Sequence, residues 1–148
     1  MCLLYSGPTN NLGVLDMAQL KTFRELNVYM RAMAASRRIF YLSQHWPRVE
    51  RYALTNQIRR SSRAVSALVA EGWARRRYTP AFVNKINEAL GEAYETRTWI
   101  EHAYECGYIE TDLKVELDAE WNAIGGMLQR MIDRSAEFSP IKSGNGTA

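Results

Sequence analysis

Three arginine clusters in the first 87 residues are the groups best suited to bind a charged ligand. They are Arg37-Arg38, Arg59-Arg60 with Arg63, and Arg75-Arg76-Arg77, which Tyr78 follows. A guanidinium group is planar and presents paired N–H donors that match phosphate and carboxylate oxygens. A tyrosine beside such a cluster offers a ring on which a nucleotide base can stack. Phosphates, and nucleic acid among them, are therefore the first ligand class to consider.

The charge of the chain is divided unequally along its length. Residues 1–87 carry 14 Lys and Arg against 4 Asp and Glu, a net charge of +10, whereas residues 88–148 carry 5 against 12, a net charge of −7. The whole chain of 148 residues has a net charge of +3. This division is typical of a nucleic-acid-binding face. It would equally let the two halves attract each other, within one chain or between subunits, and both interpretations stay open.

The remaining reactive side chains form no recognisable catalytic or metal-binding pattern. The two histidines, His45 and His102, fall in separate segments, and neither lies in a Glu-x-x-His pattern. We expect Cys106 to be a buried, unreactive thiol. The sequence contains no Gly-x-Gly-x-x-Gly motif, Walker-type loop or Gly-x-Ser-x-Gly elbow. We therefore predict no catalytic residue, no metal, no cofactor and no enzymatic activity.

Glu71 is the carboxylate that the sequence places within an apolar run, at residues 68–73. A partly buried carboxylate needs a cationic partner, so we predict a structural ion pair with an arginine or a helix N-terminus. The alternative, a catalytic carboxylate, lacks a second reacting group. Glu88, Glu92 and Glu95 instead have the spacing of an ion-paired or solvated helix face.

Four long segments position these side chains, and each has the periodicity of an α-helix. They cover residues 23–46, 48–76, 79–107 and 111–138. Thr79 is the predicted N-cap of the third helix, Pro80 its first helical residue and Gly107 its left-handed C-terminal cap. Gly125-Gly126, inside the fourth helix, predicts a tight contact with another helix or, alternatively, a kink.

Each predicted helix has one apolar stripe that we assign to a common core. The stripes contain Val28, Ala32, Ala35, Ile39, Leu42 and Trp46; Leu54, Ile58, Ser61, Val65, Leu68 and Gly72; Phe82, Ile86, Ala89, Ala93 and Ile100; and Leu113, Leu117, Trp121, Ile124, Leu128 and Met131. Ser61 lies on this line, so we expect it to face a neighbouring helix. Arg60 and Arg63 project roughly opposite Ile58, which gives the second helix an arginine-bearing outer side.

These segments predict an all-α fold, an antiparallel up-down-up-down four-helix bundle. The bundle occupies residues 23–138, between a poorly ordered N-terminal extension at 1–22 and a flexible tail at 139–148. No apolar run reaches the 18 residues that a transmembrane helix needs. Two cysteines alone are unlike a disulfide framework, so we expect a cytoplasmic protein with no membrane partner.

The second helix contains the residues that resemble a known family. The run from Arg51 to Arg60 carries a Leu-x-x-Gln-x-Arg-Arg element, and Ala70-Glu71-Gly72 follows it. Further matches are Leu26, Val28, Tyr29, Ala32 and Met33, then Ala89-Leu90-Gly91, Glu95, Thr98, Ala103-Tyr104 and Gly107-Tyr108-Ile109. Over residues 23–134 the sequence resembles the 23S rRNA-intervening-sequence protein family. This family includes the accessory variability determinants of diversity-generating retroelements.

The resemblance implies a four-helix bundle that assembles into a ring-like homopentamer. In the retroelement branch it implies a basic pentamer that binds nucleic acid and a reverse transcriptase. No enzymatic activity is attributed to the family. The sequence departs from the family pattern at Ser66, Leu68, Glu92 and Arg97.

Two functions of different classes follow from the sequence. The first is electrostatic binding of RNA or DNA by an oligomer, as an accessory to a nucleic-acid enzyme. The predicted contacts are Arg59, Arg60, Arg63, Arg75, Arg76 and Arg77. The alternative is a structural homo-oligomer or protein-interaction scaffold that binds no nucleic acid. Four tryptophans and eight tyrosines exceed what one bundle core needs, which favours a homo-oligomer in either case.

Overall fold

Four long helices make up most of the chain. The computed structural model describes residues 17–140. The helices are α1 (Asn27–Ser43), α2 (Leu54–Ala74), α3 (Thr79–Glu105) and α4 (Thr111–Asp133), and the short 3-10 turns are Met17–Gln19, Phe23–Glu25, Arg48–Glu50 and Ser135–Phe138. No strand occurs within residues 17–140. The prediction of an all-α four-helix bundle is confirmed.

The first two helices begin later than predicted, because 3-10 turns replace their first residues. The predicted start at Phe23 is a 3-10 turn, and α1 follows at Asn27. The predicted start at Arg48 is another 3-10 turn, and α2 begins at Leu54. The backbone N–H of Leu54 donates to a carboxylate oxygen of Glu50 at 3.1 Å. A glutamate side chain thus satisfies one of the N–H groups that a helix start leaves without a backbone partner.

Proline and glycine mark the two ends of α3. Thr79 is the first helical residue and Tyr78 the N-cap, so the prediction of Thr79 as the N-cap was wrong. At the other end Gly107 has a φ of +74°. The backbone N–H groups of Gly107 and Tyr108 donate to carbonyls in the last turn of α3 at 2.9 Å each. This pattern is a Schellman motif, so the predicted left-handed cap is confirmed.

The predicted apolar stripes form one hydrophobic core, with a few shifts in phase. Leu42, Trp46, Leu68 and Leu113 are half-buried, and every other residue of the four stripes is buried. On α2, Val69 is fully buried in place of the predicted Leu68. Helix periodicity explains this shift, because neighbouring positions at the edge of a stripe compete for the core side of the helix.

Small residues bring α2 close to α3. Ser61 is fully buried, and its hydroxyl lies 2.9 Å from that of Thr96 on α3. Gly72 lies so near α3 that an added Cβ atom would be 2.8 Å from Cδ1 of Ile86. The prediction that Ser61 faces a neighbouring helix is confirmed.

The paired glycines of α4 do not interrupt the helix, which runs through both positions. Gly125 is buried, and a Cβ atom there would lie 3.5 Å from Tyr94 and 3.6 Å from Leu90. These are ordinary van der Waals distances to α3. Helix α4 therefore contacts α3 at Gly125, but the contact is not so close that only glycine fits, and α4 is continuous through both glycines.

Some residues outside the four helices also pack on the core. Met17 and Leu20, which the sequence assigned to a poorly ordered extension, lie against it. Phe138 stacks on Phe82, with ring centroids 5.0 Å apart. The predictions for residues 1–16 and 141–148 lie outside the described residues. No helix within the described part of the chain is long and apolar enough to cross a membrane.

Candidate nucleic-acid interface

The six arginines predicted to bind nucleic acid lie in three kinds of environment. Arg60 binds carboxylates; Arg59, Arg63 and Arg76 pack on aromatic rings; Arg75 and Arg77 are exposed. A guanidinium group can bind a phosphate only with N–H donors that the chain itself does not occupy. The six residues are therefore unequal as candidates.

Arg60 is neutralised by two carboxylates of α3. Its Nη1 atom lies 3.1 Å and 3.3 Å from the two carboxylate oxygens of Glu92, and its Nη2 atom donates to Glu95. Burial opposes ionisation of Glu95, but hydrogen bonds from Arg60 and Trp99 outweigh it and hold its pKa below the ordinary value. The predicted ion-paired helix face is present here, and Arg60 is a weak candidate for phosphate binding.

Arg59 and Arg63 both lie over the ring of Phe40, which α1 supplies. Their Cζ atoms are 4.8 Å and 5.3 Å from the ring centroid. The Nε atom of Arg59 donates to Ser43 Oγ at 2.7 Å. Within residues 17–140 neither arginine forms an ion pair. We call Arg59, Arg63 and Phe40 the arginine seam between α1 and α2.

The arginine seam concentrates positive charge, and no described carboxylate forms an ion pair with it. Burial lowers the pKa of the Arg59 guanidinium, and the positive charge of Arg63 lowers it further. The two side chains are one helical turn apart on α2, so both can reach a single bound anion. An anion between them would relieve their mutual repulsion.

The connection between α2 and α3 is an exposed basic tip. Arg75, Arg77 and Tyr78 are exposed, and neither arginine side chain has an ion pair in the described part of the chain. Arg76 differs, because its Nη1 atom donates to the Trp73 carbonyl at 2.9 Å and its Cζ atom lies 4.0 Å from the centroid of the Trp73 ring. Arg76 therefore caps the C-terminal end of α2, where a positive charge is favourable.

Glu71 is exposed, so the prediction of a partly buried carboxylate was wrong. Its side chain is 51% exposed, and one carboxylate oxygen lies 3.4 Å from Lys85 Nζ. The partner is thus a lysine, not the arginine or helix N-terminus that the sequence predicted. Position 71 is two residues past the buried Val69, which turns it to the outer side of α2. An ion pair this exposed contributes little to stability.

Cys106 and the two histidines are exposed. The prediction that Cys106 is buried was wrong, because this residue is the C-cap that follows α3. The His102 ring packs against Trp99, with ring centroids 5.4 Å apart. Across residues 17–140 no group of three or more His, Cys, Asp or Glu side chains is arranged to hold a metal ion.

Ion pairs within one chain join its basic half to its acidic half. Arg31 Nε lies 2.7 Å from a Glu120 oxygen, and Arg38 Nη1 lies 2.8 Å from a Glu116 oxygen. Hydrogen bonds from these arginines hold the pKa of both glutamates below the ordinary value. The basic and acidic halves therefore attract each other within one chain, through α1 and α4 and, by way of Arg60, through α2 and α3. This attraction is one of the two interpretations of the charge division that the sequence left open.

Sequence reasoning missed a second basic tip, between α1 and α2. Arg48, Arg51 and Tyr52 are exposed there, beside the exposed Val49. The signal was present, since two arginines and a tyrosine follow Pro47 within five residues. It was missed because the run was assigned to the second helix, where its side chains would point in several directions.

Comparison with known proteins identifies the family. The sequence matches the family described as 23S rRNA-intervening sequence protein over residues 24–130. A similar solved structure is a protein of unknown function from the S23 ribosomal protein family of Bacteroides thetaiotaomicron. It is 24% identical, the match covers 72% of this chain and 95% of that chain, and the TM-score is 0.64, a likeness that supports the fold alone. No curated protein matches the sequence. Because the family match spans most of the bundle, the chain belongs to the 23S rRNA-intervening sequence protein family.

Proposed function

We propose that this protein is a non-enzymatic oligomer that binds RNA or DNA through arginines that its own carboxylates leave uncompensated. The observation that carries the proposal is the selective pairing of the arginines. Arg60 binds two carboxylates, whereas Arg59, Arg63, Arg75 and Arg77 form no ion pair within residues 17–140. Uncompensated guanidinium groups are the donors that a phosphate backbone needs.

The proposed binding is electrostatic and weakly selective for sequence. The arginine seam and the tip formed by Arg75 and Arg77 supply phosphate contacts, and Tyr78 supplies a ring for base stacking. Contacts to phosphates position a nucleic acid but carry no direct sequence information. Such binding suits an accessory that holds a nucleic acid for another enzyme, for example a reverse transcriptase.

We also propose that the helices run up-down-up-down and that the chain forms a cyclic homo-oligomer, five-membered as the family resemblance implies. Contacts between α2 and α3 support an antiparallel direction for these two helices. Ser61 contacts Thr96, whereas Gly72, which is later in α2, lies against Ile86, which is earlier in α3.

Exposed apolar side chains support the homo-oligomer, and they include Met30, Met33, Tyr41, Val49 and Tyr52. In a ring, weak contacts from several subunits add through effective concentration.

The test is a salt titration of binding to duplex DNA and to single-stranded RNA. Arg75→Gln with Arg77→Gln removes two guanidinium groups per chain that would neutralise phosphates. We expect the log–log salt slope on duplex DNA to become shallower by about 0.9 for each phosphate that a bound chain no longer neutralises. Arg60→Gln is the matched control, because its charge is already paired, and it should leave the slope unchanged.

Two results would contradict this proposal. If the wild-type assembly binds neither nucleic acid at low salt, the structural-scaffold function remains. If it binds but the double variant keeps the wild-type slope, the tip between α2 and α3 does not touch the phosphates. A shallower slope in Arg48→Gln with Arg51→Gln would then assign phosphate binding to the tip between α1 and α2.

A further inference from the structure

The side of α1 that faces away from the core carries exposed apolar residues in line. Met30, Met33 and Tyr41 are 51%, 45% and 58% exposed. Ala34 and Arg37 are exposed on the same side, at steps of three and four residues. We call these five residues the α1 stripe. Scattered apolar side chains on a surface are ordinary, but several on one helix face form a continuous contact surface.

No helix within residues 17–140 covers the α1 stripe. On one flank of α1, Arg31 and Arg38 reach the carboxylates of α4. On the other flank, Phe40 packs under Arg59 and Arg63 of α2. The α1 stripe lies between these flanks, opposite the buried side of α1, and is open to another molecule within the described part of the chain.

A groove of about 570 Å³ lies between α2 and α3, on a different part of the surface. Its lining combines small or apolar residues with carboxylates: Ala64, Ala67, Leu68 and Gly91, and Glu71, Glu88, Glu92 and Glu95. We call it the α2–α3 groove. Small residues let a helix approach closely, because no long side chain holds it away.

Gly91 is independent evidence that the α2–α3 groove is occupied. It lies in the middle of α3. In a helix interior, glycine stabilises the helix less than every other residue except proline. A Cβ atom at this position would meet nothing within 4 Å, in contrast to Gly72. Its φ is not positive, since Gly107 is the one described residue with positive φ. Neither packing nor backbone conformation among residues 17–140 explains this glycine, whereas a second molecule lying close against it would.

The charges of the two surfaces are complementary. The four carboxylates of the α2–α3 groove face only two cations within the described residues, Arg60 and Lys85. Helix α1 contains no acidic residue, and Arg37 makes no ion pair within residues 17–140. A basic helix and an acidic groove attract each other as two copies approach, and the positions of their charges fix the orientation in which the helix docks.

We infer that the α1 stripe of one copy docks into the α2–α3 groove of a second copy of this chain. The inference rests on the proposed homo-oligomer and assigns the interface that builds it. Met30 and Met33 are flexible enough to fill an irregular groove, and Arg37 adds a cation to its carboxylates. Because the two surfaces are different patches, the contact is heterologous, and its repetition builds a ring when the rotation between successive copies closes.

The test places one disruptive change on each surface of the full chain. Met33→Glu brings a carboxylate to the acidic groove, and Gly91→Leu fills the space that the docked helix needs. We expect each variant alone to have the mass of one 17.0 kDa chain in light scattering, with an unchanged helical circular dichroism spectrum. The matched controls are Val115→Glu and Gly126→Leu, which change α4 outside both surfaces and should keep the wild-type mass.

Mixing the two variants tests the heterologous contact directly. The Met33→Glu copy keeps an intact groove, and the Gly91→Leu copy keeps an intact α1 stripe. One interface can therefore form between them, and it cannot be repeated. We expect a species of twice the mass of the 17.0 kDa chain, and no larger assembly.

The possible failures are distinguishable. Wild-type protein that remains a single 17.0 kDa species at micromolar concentration would overturn the inference and the proposed oligomer together. If the wild-type protein is an oligomer and both variants keep its mass, this interface is contradicted, and the oligomer forms through other surfaces. Monomeric variants that stay monomeric when mixed would overturn the pairing of these two surfaces.

Discussion

Arginine residues that are neighbours in sequence have different roles in this protein. Arg60 and Arg63 are one turn apart on α2, yet one binds two carboxylates and the other lies over an aromatic ring. The difference comes from the adjacent helices, because α3 offers Glu92 and Glu95 whereas α1 offers Phe40. The sequence could predict where guanidinium groups cluster. It could not predict which of them remain available, since that depends on side chains about 20 to 35 positions away.

Replacement by alanine of two glycines outside the core should change the free energy of unfolding in opposite directions. Gly107→Ala forces a side chain into the left-handed region, and we expect the free energy of unfolding to fall by about 1 kcal/mol. Gly91→Ala adds a methyl group where the helix has open space, and we expect the free energy of unfolding to rise by up to about 1 kcal/mol. Urea unfolding should be measured in the Met33→Glu background, so that subunit association does not contribute. Equal effects at the two positions would contradict the assigned backbone conformations.

Helices α2 and α3 are matched through small and polar side chains rather than through large ones. Periodicity alone placed Ser61 on the buried side of α2. It could not identify Thr96 as its partner, because the register between two helices is set by packing rather than by either sequence. The starts of α1 and α2 were also beyond reach, although the sequence placed the C-terminal cap of α3 correctly at Gly107. Before α2, residues 48–50 form a 3-10 turn, and Glu50 from that turn accepts a hydrogen bond from the Leu54 N–H. Helical periodicity does not reveal a contact of this kind between a side chain and the backbone.

Ser61→Leu should destabilise the α2–α3 contact. Ser61 is fully buried with its hydroxyl 2.9 Å from that of Thr96, so the larger side chain overpacks a filled site. We expect the free energy of unfolding to fall by roughly 1–3 kcal/mol, read from the urea midpoint. Ser61→Ala is the volume control and should cost less, because it removes the hydrogen-bond partner without adding atoms. A Ser61→Leu variant as stable as the wild type would place position 61 at the surface.

Over the whole molecule, ion pairs between helices connect halves of opposite charge. Attraction between the halves was one of two interpretations of the charge division that the sequence left open, and whether it acts within a chain or between subunits was also open. The answer depends on which helices are neighbours, and Arg31 and Arg38 of the basic half bind carboxylates on α4. Arg97, which belongs to the acidic half, adds a third ion pair with α4. These pairs are partly exposed, so each contributes modestly. Their number makes the fold sensitive to the ionisation of α4.

Acidification should therefore weaken the fold. Hydrogen bonds from arginines hold the pKa values of Glu116, Asp118 and Glu120 below the ordinary values of 4.5 for Glu and 3.8 for Asp. The unfolded chain then binds protons more readily than the folded one, so this stability is present above the ordinary pKa values and is lost as pH falls through the folded ones. We expect the urea midpoint to decrease across that acidic range.

The variant Asp118→Asn with Glu120→Gln should reduce this pH dependence of the urea midpoint. Its matched control is Asp112→Asn, since Asp112 makes no ion pair within residues 17–140. The control should retain the wild-type profile. A midpoint that is constant with pH in the wild-type protein would contradict a role for these pairs in stability.

The pairing of α1 with α4 also bears on the order in which the chain folds. Arg31 and Glu120 are 89 positions apart, and Arg38 and Glu116 are 78 apart. Contacts between consecutive helices close much shorter loops, and a shorter loop loses less chain entropy when it closes. We expect the contacts between consecutive helices to form early and the α1–α4 contact to form last. Glu120→Gln should then speed unfolding and leave the folding rate unchanged in stopped-flow urea experiments, because an interaction that is absent from the transition state acts on the unfolding rate.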